Sequence, residues 1–272
     1  MPQRFWAHPA LPFLQLRATD DGRSLCYGLH SHAEFSVGLI EAGQSLFRHG
    51  RTEEPVGPGD LVLMNPGLLH ACRARDEAQP WAYTMLYVDP SWLAGLQQGQ
   101  GQEFFRPLAA AVLREPALSQ AFRALVQALE GPAPEACAPL CEDFFRALCA
   151  AAGPGPCAAP DPRLQAAIAL MQARHDEPLS LAELATAAGL SVNQLTRLFR
   201  THTGLTPHAY LNDVRVRASR ALLRQGGLPL AEVAAATGFA DQAHWQRHYR
   251  RQHASTPGAY RRGLLSATAR RR

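Results

Sequence analysis

The chain has 272 residues, 47% of them hydrophobic and 18% charged, with a formal net charge of +4 at pH 7. That balance excludes a disordered or fibrous chain and leaves room for two domains with separate cores. The opening MPQRFWAHPALPF has no apolar run of signal-peptide length followed by a small-residue cleavage site, and no later stretch approaches a membrane span, so a cytoplasmic protein without a membrane partner is expected.

Up to about residue 88 the punctuation is that of strands: SLCYGLH, EFSVGLIEAG, QSLFRH, DLVLMNPG and WAYTMLYVD, separated by turn formers such as Glu41-Ala42-Gly43 and Gly57-Pro58-Gly59-Asp60. Many short strands at this spacing predict a small antiparallel barrel or jelly roll. Cys26, His30 and His32 share parity on one strand, and His70 and Cys72 share it on another, so these five side chains are expected to point into the barrel as a ligand-binding set. Three converging imidazoles also invite a metal. The competing explanations are histidines that line a small-molecule pocket and histidines that cap the barrel structurally. The six cysteines form no CxxC pair, and Cys137 and Cys141 read as small core residues.

From about 104 to 151 the period becomes helical, with Leu118, Ala121, Phe122, Leu125, Val126 and Leu129 on one face and a second helix expected from about Pro139 to Ala151. An exposed apolar stripe there would join two chains into a homodimer; a stripe packed on its own barrel is the alternative. AAGPGPCAAPDP, residues 151–162, continues neither helix nor central strand and reads as a linker. Residues 1–160 carry 11 Arg against 16 Asp and Glu, a net −5, and residues 161–272 carry 16 Arg against 7, a net +9, which together make the +4 of the chain. The C-terminal part is therefore the candidate for binding a polyanion. Every cation is Arg, so a solvated face is the ordinary reading of any single one.

Beyond the linker the chain reads as short capped helices, and it repeats itself. SLAELATAAGLSVNQLTRLFR lies on PLAEVAAATGFADQAHWQRHYR through Leu181/Leu230, Glu183/Glu232 and Gly189/Gly238, with one extra residue in the second copy before Ser191/Asp241. Each copy is a short helix, a glycine turn, an N-cap residue and a second helix, which is helix-turn-helix grammar. At about 100° per residue, Val192, Leu195, Leu198 and Phe199 fall on one side and Asn193, Thr196, Arg197 and Arg200 on the other, with Gln194 beside them. The corresponding places in the second copy hold Ala243, Gln246, Arg247 and Arg250, flanked by Gln242 and His244. Amides, a hydroxyl and guanidiniums suit base edges and phosphates. Between the copies, TPHAYLNDVRVRASRALLRQGG puts Tyr210, Val214, Ala218, Ala221 and Leu222 inward and Arg215, Arg217, Arg220 and Arg224 mostly outward. A helix over 207–224 would be roughly 27 Å long, comparable with the ~34 Å between successive major grooves on one face of DNA.

These blocks, with both Thr-Pro-x-x-Tyr tails, make the last hundred or so residues resemble the twin helix-turn-helix domain of the AraC/XylS family of bacterial transcription regulators. GLHSHAEFSVGLIEAGQ and PGDLVLMNPGLLHAC resemble, more loosely, the cupin-like sensing domain that many of these regulators carry. The resemblance implies that Asn193, Thr196 and Arg197, and Gln242, His244, Gln246 and Arg247, lie in the major groove of double-stranded DNA. It also implies activation through contact with RNA polymerase. Where a metal-binding cupin usually has Glu this chain has Ser36, and Asn-Pro-Gly stands where Pro-x-Gly is expected, so no metal and no cofactor is assigned.

The expected fold is multidomain α and β. Residues 1–100 would form a cupin-like, effector-binding β-barrel, 101–150 a helical dimerisation or packing segment, 151–162 the linker and 163–265 an all-α double helix-turn-helix DNA-binding domain. The expected function is a small-molecule-responsive, sequence-specific regulator and not an enzyme. A cupin-type metal-dependent enzyme fused to a DNA-binding domain is the alternative; neither a complete metal set nor a nucleophile, base and orienter set can be assembled for it.

Overall fold

A computed structural model describes residues 3–269, apart from 24, 26, 27, 33, 51, 77, 98–104, 156–160 and 254. It divides into a β-rich unit of Met1–Cys26, His32–Cys157 and Gly263–Arg272 and a helical unit of Tyr27–Ser31 and Ala158–Arg262. Among the described residues no helix is long and apolar enough to cross a membrane.

The β-rich unit is cupin-like but is built as two sheets, not as one closed barrel. β1 (Gln3–His8), β2 (Leu11–Thr19), β8 (Ala82–Val88), β3 (Phe35–Ala42), β6 (Leu61–Met64) and β9 (Val112–Leu113) are neighbours in that order in one sheet, and β5 (Thr52–Val56), β4 (Ser45–His49) and β7 (His70–Ala74) in the other. Pro55 in the edge strand β5 has no N–H to offer a further ladder, so the small sheet ends there. Ser24, Cys26 and Tyr27 of the strand expected over SLCYGLH lie outside the described residues; the ladder of β3 begins at Phe35, and the Gly28 N–H donates to the Arg251 carbonyl at 3.1 Å. β1 and β2 occupy the opening stretch, where no strand was expected.

Period-two alternation separates the large sheet into two faces. Leu14, Leu16, Phe35, Val37, Leu39, Leu61, Leu63, Leu86 and Val88 join one apolar core with Leu93 of α1 (Pro90–Gln97) and with α2 (Pro116–Leu129) and α3 (Ala138–Ala152). The helices contribute Leu118, Phe122, Leu125, Leu129, Cys141, Phe144, Phe145 and Leu148, all buried. The apolar stripe read from the sequence is thus occupied inside the chain's own unit. The other face carries the rows Gln15–Tyr87–Ser36–Met64 and Arg17–Met85–Gly38–Val62. A Cβ at Gly38 would collide with the Met85 sulfur, so glycine here makes room for the methionine.

The helical unit contains α4 (Pro162–Ala173), α5 (Leu181–Ala187), α6 (Val192–Thr203), α7 (Pro207–Gln225), α8 (Leu230–Ala236) and α9 (Gln242–His253), and α10 (Pro257–Ala269) follows. The repeated Thr-Pro-x-x-Tyr tail has a mechanical role. Thr206 and Thr256 accept from the N–H groups of Ala209 and Ala259 at 3.3 and 3.1 Å, and the prolines occupy first-turn positions that need no N–H. The tyrosines then pack on the preceding helix, Tyr210 edge-on to Phe199 at 5.4 Å and Tyr260 against Tyr249 at 6.2 Å.

Two expectations about helix faces are corrected. Arg215 and Arg220 on α7 are buried, and among the four arginines placed outward only Arg224 is exposed. α7 packs against α4 and α6 on one side and α8 and α9 on the other, so little of its circumference meets water. Arg215 spends its guanidinium on the carbonyls of His175 and Glu177, at 2.7 and 2.8 Å. Val192, placed inward by periodicity, is 37% exposed because it opens α6, ahead of the turn where Leu195 and Phe199 enter the core.

Candidate nucleic-acid interface and ligand site

The second helix of each repeat is fixed at its start. Ser191 accepts from the Gln194 N–H at 3.3 Å while the Gln194 side chain accepts from the Ser191 N–H at 2.9 Å, a reciprocal capping box. Gln194 is therefore engaged in holding α6. In the second repeat the Asp241 carboxylate takes the His244 N–H at 2.6 Å. Gly189 and Gly238 hold the turns at φ 63° and 78°, a region where a Cβ is strained.

With Leu195, Phe199, Trp245 and Tyr249 fully buried, α6 and α9 are anchored by one face. Asn193, Gln194, Arg197 and Arg200 are exposed and Thr196 half-buried on α6; Arg247 and Arg250 are exposed and Gln242, His244 and Gln246 half-buried on α9. The Thr196 hydroxyl donates back to the Val192 carbonyl at 2.9 Å, which leaves its oxygen lone pairs outward as acceptors. Arg163 and Arg174, by contrast, close on Asp161 and Glu177 at 2.7 and 2.6 Å. Among the described residues Arg197, Arg200, Arg247 and Arg250 have no ion-pair partner within reach. Four uncompensated guanidiniums on two equivalent helices make an anion-seeking surface.

In the β-rich unit, His32 and His70 meet edge-on with ring centroids 4.7 Å apart, and Tyr87 closes on His32 at 5.5 Å. Each imidazole directs Nδ1 at a backbone carbonyl, that of Glu34 for His32 and of Leu68 for His70, both at 2.9 Å. The His32 Nε2 is 3.2 Å from the Ser36 hydroxyl, so Ser36 serves as a hydrogen-bond partner of the ring. Burial lowers the His70 pKa to about 4, helped by the nearby Arg17 charge, so the ring is neutral at pH 7. Burial likewise pushes the Cys72 thiol up to about 12, against the pull of Arg17, so it is not a thiolate near neutral pH.

Arg17 and Tyr87 were not found by sequence reasoning. Arg17 is 7% exposed, with its guanidinium 5.5 Å from the Tyr87 ring. The available signal was a lone Arg in the alternating run LQLRAT. Cys26 lies outside the described residues. His30 belongs to the segment that groups with the helical unit, where it is 5% exposed, turns Nδ1 toward the Gly28 carbonyl at 2.7 Å and meets His253 edge-on at 6.3 Å. Beside it, Ser31 donates from its N–H and Oγ to Asp213 at 3.3 and 2.6 Å. A surface cleft of about 510 Å³, lined by Gly43, Gln44, Pro58, Arg75, Asp76 and Gln79, contains none of the histidines.

Comparison with known proteins follows the same division. Residues 15–148 match the AraC-like ligand binding domain and residues 184–263 a helix-turn-helix domain. The arabinose operon regulatory protein of Escherichia coli is 25% identical over 238 residues, 84% of this chain and 80% of that protein. The HTH-type transcriptional regulator GlxA of Rhizobium meliloti is 38% identical over 101 residues, a match that spans 37% of this chain and 31% of GlxA. Apo ToxT K231A of Vibrio cholerae shares the fold, with a TM-score of 0.65 at 12% identity over 92% of this chain and 97% of that one.

Proposed function

Because this chain belongs to the AraC/XylS family of transcription regulators, we propose that α6 and α9 read two successive major-groove segments of one operator, under control of a small molecule bound in the β-rich unit. The observation that carries the DNA part is the duplicated capped helix with exposed, uncompensated arginines at equivalent places. Asn193, Thr196 and Arg197, with Gln242, His244, Gln246 and Arg247, are the base-edge set; Arg200 and Arg250 take phosphates. Gln194, already holding its cap, acts by positioning α6. The 19-residue α7 is about 28 Å long, which suits a connector between adjacent grooves.

The effector site is assigned to His32, His70 and Cys72 together with Arg17 and Tyr87. A buried imidazole pair, with His70 neutral and a guanidinium nearby, favours an anionic or multiply hydrogen-bonding organic molecule over a bare cation. In this scheme residues 1–100 sense, 101–150 buttress the sensor, 151–162 link and 163–265 bind DNA. The protein works in the cytoplasm and activates through RNA polymerase, as the family resemblance implies. Selection of duplexes from a random library by the full chain, followed by footprinting, tests it. Two protected half-sites about 10 base pairs apart are expected, and no sequence enrichment would sink the proposal.

A further inference from the structure

We propose that His244 and His248 form a binding site for a divalent transition-metal ion of the zinc or copper(II) kind on α9. The two residues are one helical turn apart and so share a face. Their Nε2 atoms lie 3.1 Å from each other, with ring centroids 4.8 Å apart and planes crossed at 78°. Two imidazole nitrogens on one tetrahedral zinc, each about 2.0–2.1 Å from the ion, stand roughly 3.3–3.4 Å apart. The Nε2–Nε2 separation is therefore within a few tenths of an ångström of that in a chelate, and side-chain rotation about χ1 and χ2 turns the two lone pairs from each other toward a shared ion.

Two surroundings support that use. The buried Phe239 packs against both rings, at 5.5 and 5.9 Å, and restrains their rotamers. Both histidines are half-buried, so the remaining coordination positions are open to water. Without metal, one Nε2 carries the proton that the other accepts. On binding, that proton leaves Nε2 and Nδ1 of the same ring takes one up from solvent, so that both Nε2 lone pairs face the ion. Arg247 and Arg251 repel a cation, but from flexible, solvent-screened side chains, whereas the two nitrogens are held in place.

The test uses untagged full-length protein, stripped with a chelator and titrated with zinc chloride by calorimetry. His244→Gln and His248→Gln are each expected to lose one zinc equivalent relative to the wild type, while His202→Gln, an exposed histidine on α6, keeps it. Copper(II) paramagnetic resonance on the same proteins should show two coupled nitrogens falling to one in either variant. His244→Gln is polar and partly exposed and is expected to fold, which circular dichroism checks. Zinc stoichiometry unchanged in both variants, or no zinc bound by the wild type, overturns the proposal. The readout is metal alone, so its failure would leave the DNA assignment untouched.

Discussion

Arg197 and Arg247 stand apart from Arg163 and Arg174 because, among the described residues, no carboxylate meets them. If each reads a base edge, replacing either by Ala should cost about 1–3 kcal/mol on the specific duplex and relax sequence preference at its own half-site. Binding isotherms on specific and scrambled duplexes measure it, and equal losses on both would make these side chains phosphate contacts instead. His70 supports a different prediction. Its folded pKa of about 4 lies below the ordinary 6.5, so on acidification the unfolded chain takes up a proton that the folded one refuses. Its contribution is intact above pH 6.5 and is lost as pH falls toward 4, by at most about 3 kcal/mol. Urea titrations across that window should show the slope, and His70→Gln should flatten it. The outward place of Arg197 was legible because 3.6-residue periodicity governs a helix with one buried face. The burial of Arg17 was not, since it depends on strand partners some seventy residues away.

At the scale of elements, the repeat unit is held by its ends. Removing the Ser191 hydroxyl by Ser191→Ala leaves an orphan N–H at the start of α6 and should destabilise the helical unit by about 1 kcal/mol, visible as a lower denaturation midpoint. At Gly238, φ is 78° and an added Cβ would run into the His175 carbonyl. Gly238→Ala should therefore cost more than about 1 kcal/mol; a neutral or stabilising effect in the same titration would disprove the strain. Caps and turn glycines were readable because they are local chemistry, a side chain answering a backbone group three residues on. The strands were read less well. β1 and β2 hide in a stretch interrupted by Pro9 and Pro12.

For the whole molecule, the charge division is the most testable property. A fragment of residues 161–272, net +9, should bind duplex DNA with log K falling steeply against log salt, about 0.9 per phosphate neutralised, and residues 1–160, net −5, should not bind at all. That fragment lacks Ser31, so the buried Asp213, whose pKa is raised chiefly by burial, loses two hydrogen bonds. It should melt below the helical unit of the intact chain by circular dichroism, and an unchanged melting temperature would show that the contact adds nothing. The amino-acid sequence alone determined the duplication, the capped helix-turn-helix units, the alternation that gives sheets and the segregation of charge. All of these are short-range or additive: periodicity, capping and net charge are sums over neighbours in the chain. Only the tertiary structure decided that α7 is buried almost all round, that Tyr27–Ser31 joins the helical unit, and that His32 and His70 meet beside Arg17 and Tyr87. Those outcomes depend on which distant surfaces exclude water from one another, and no local pattern encodes the identity of a distant partner.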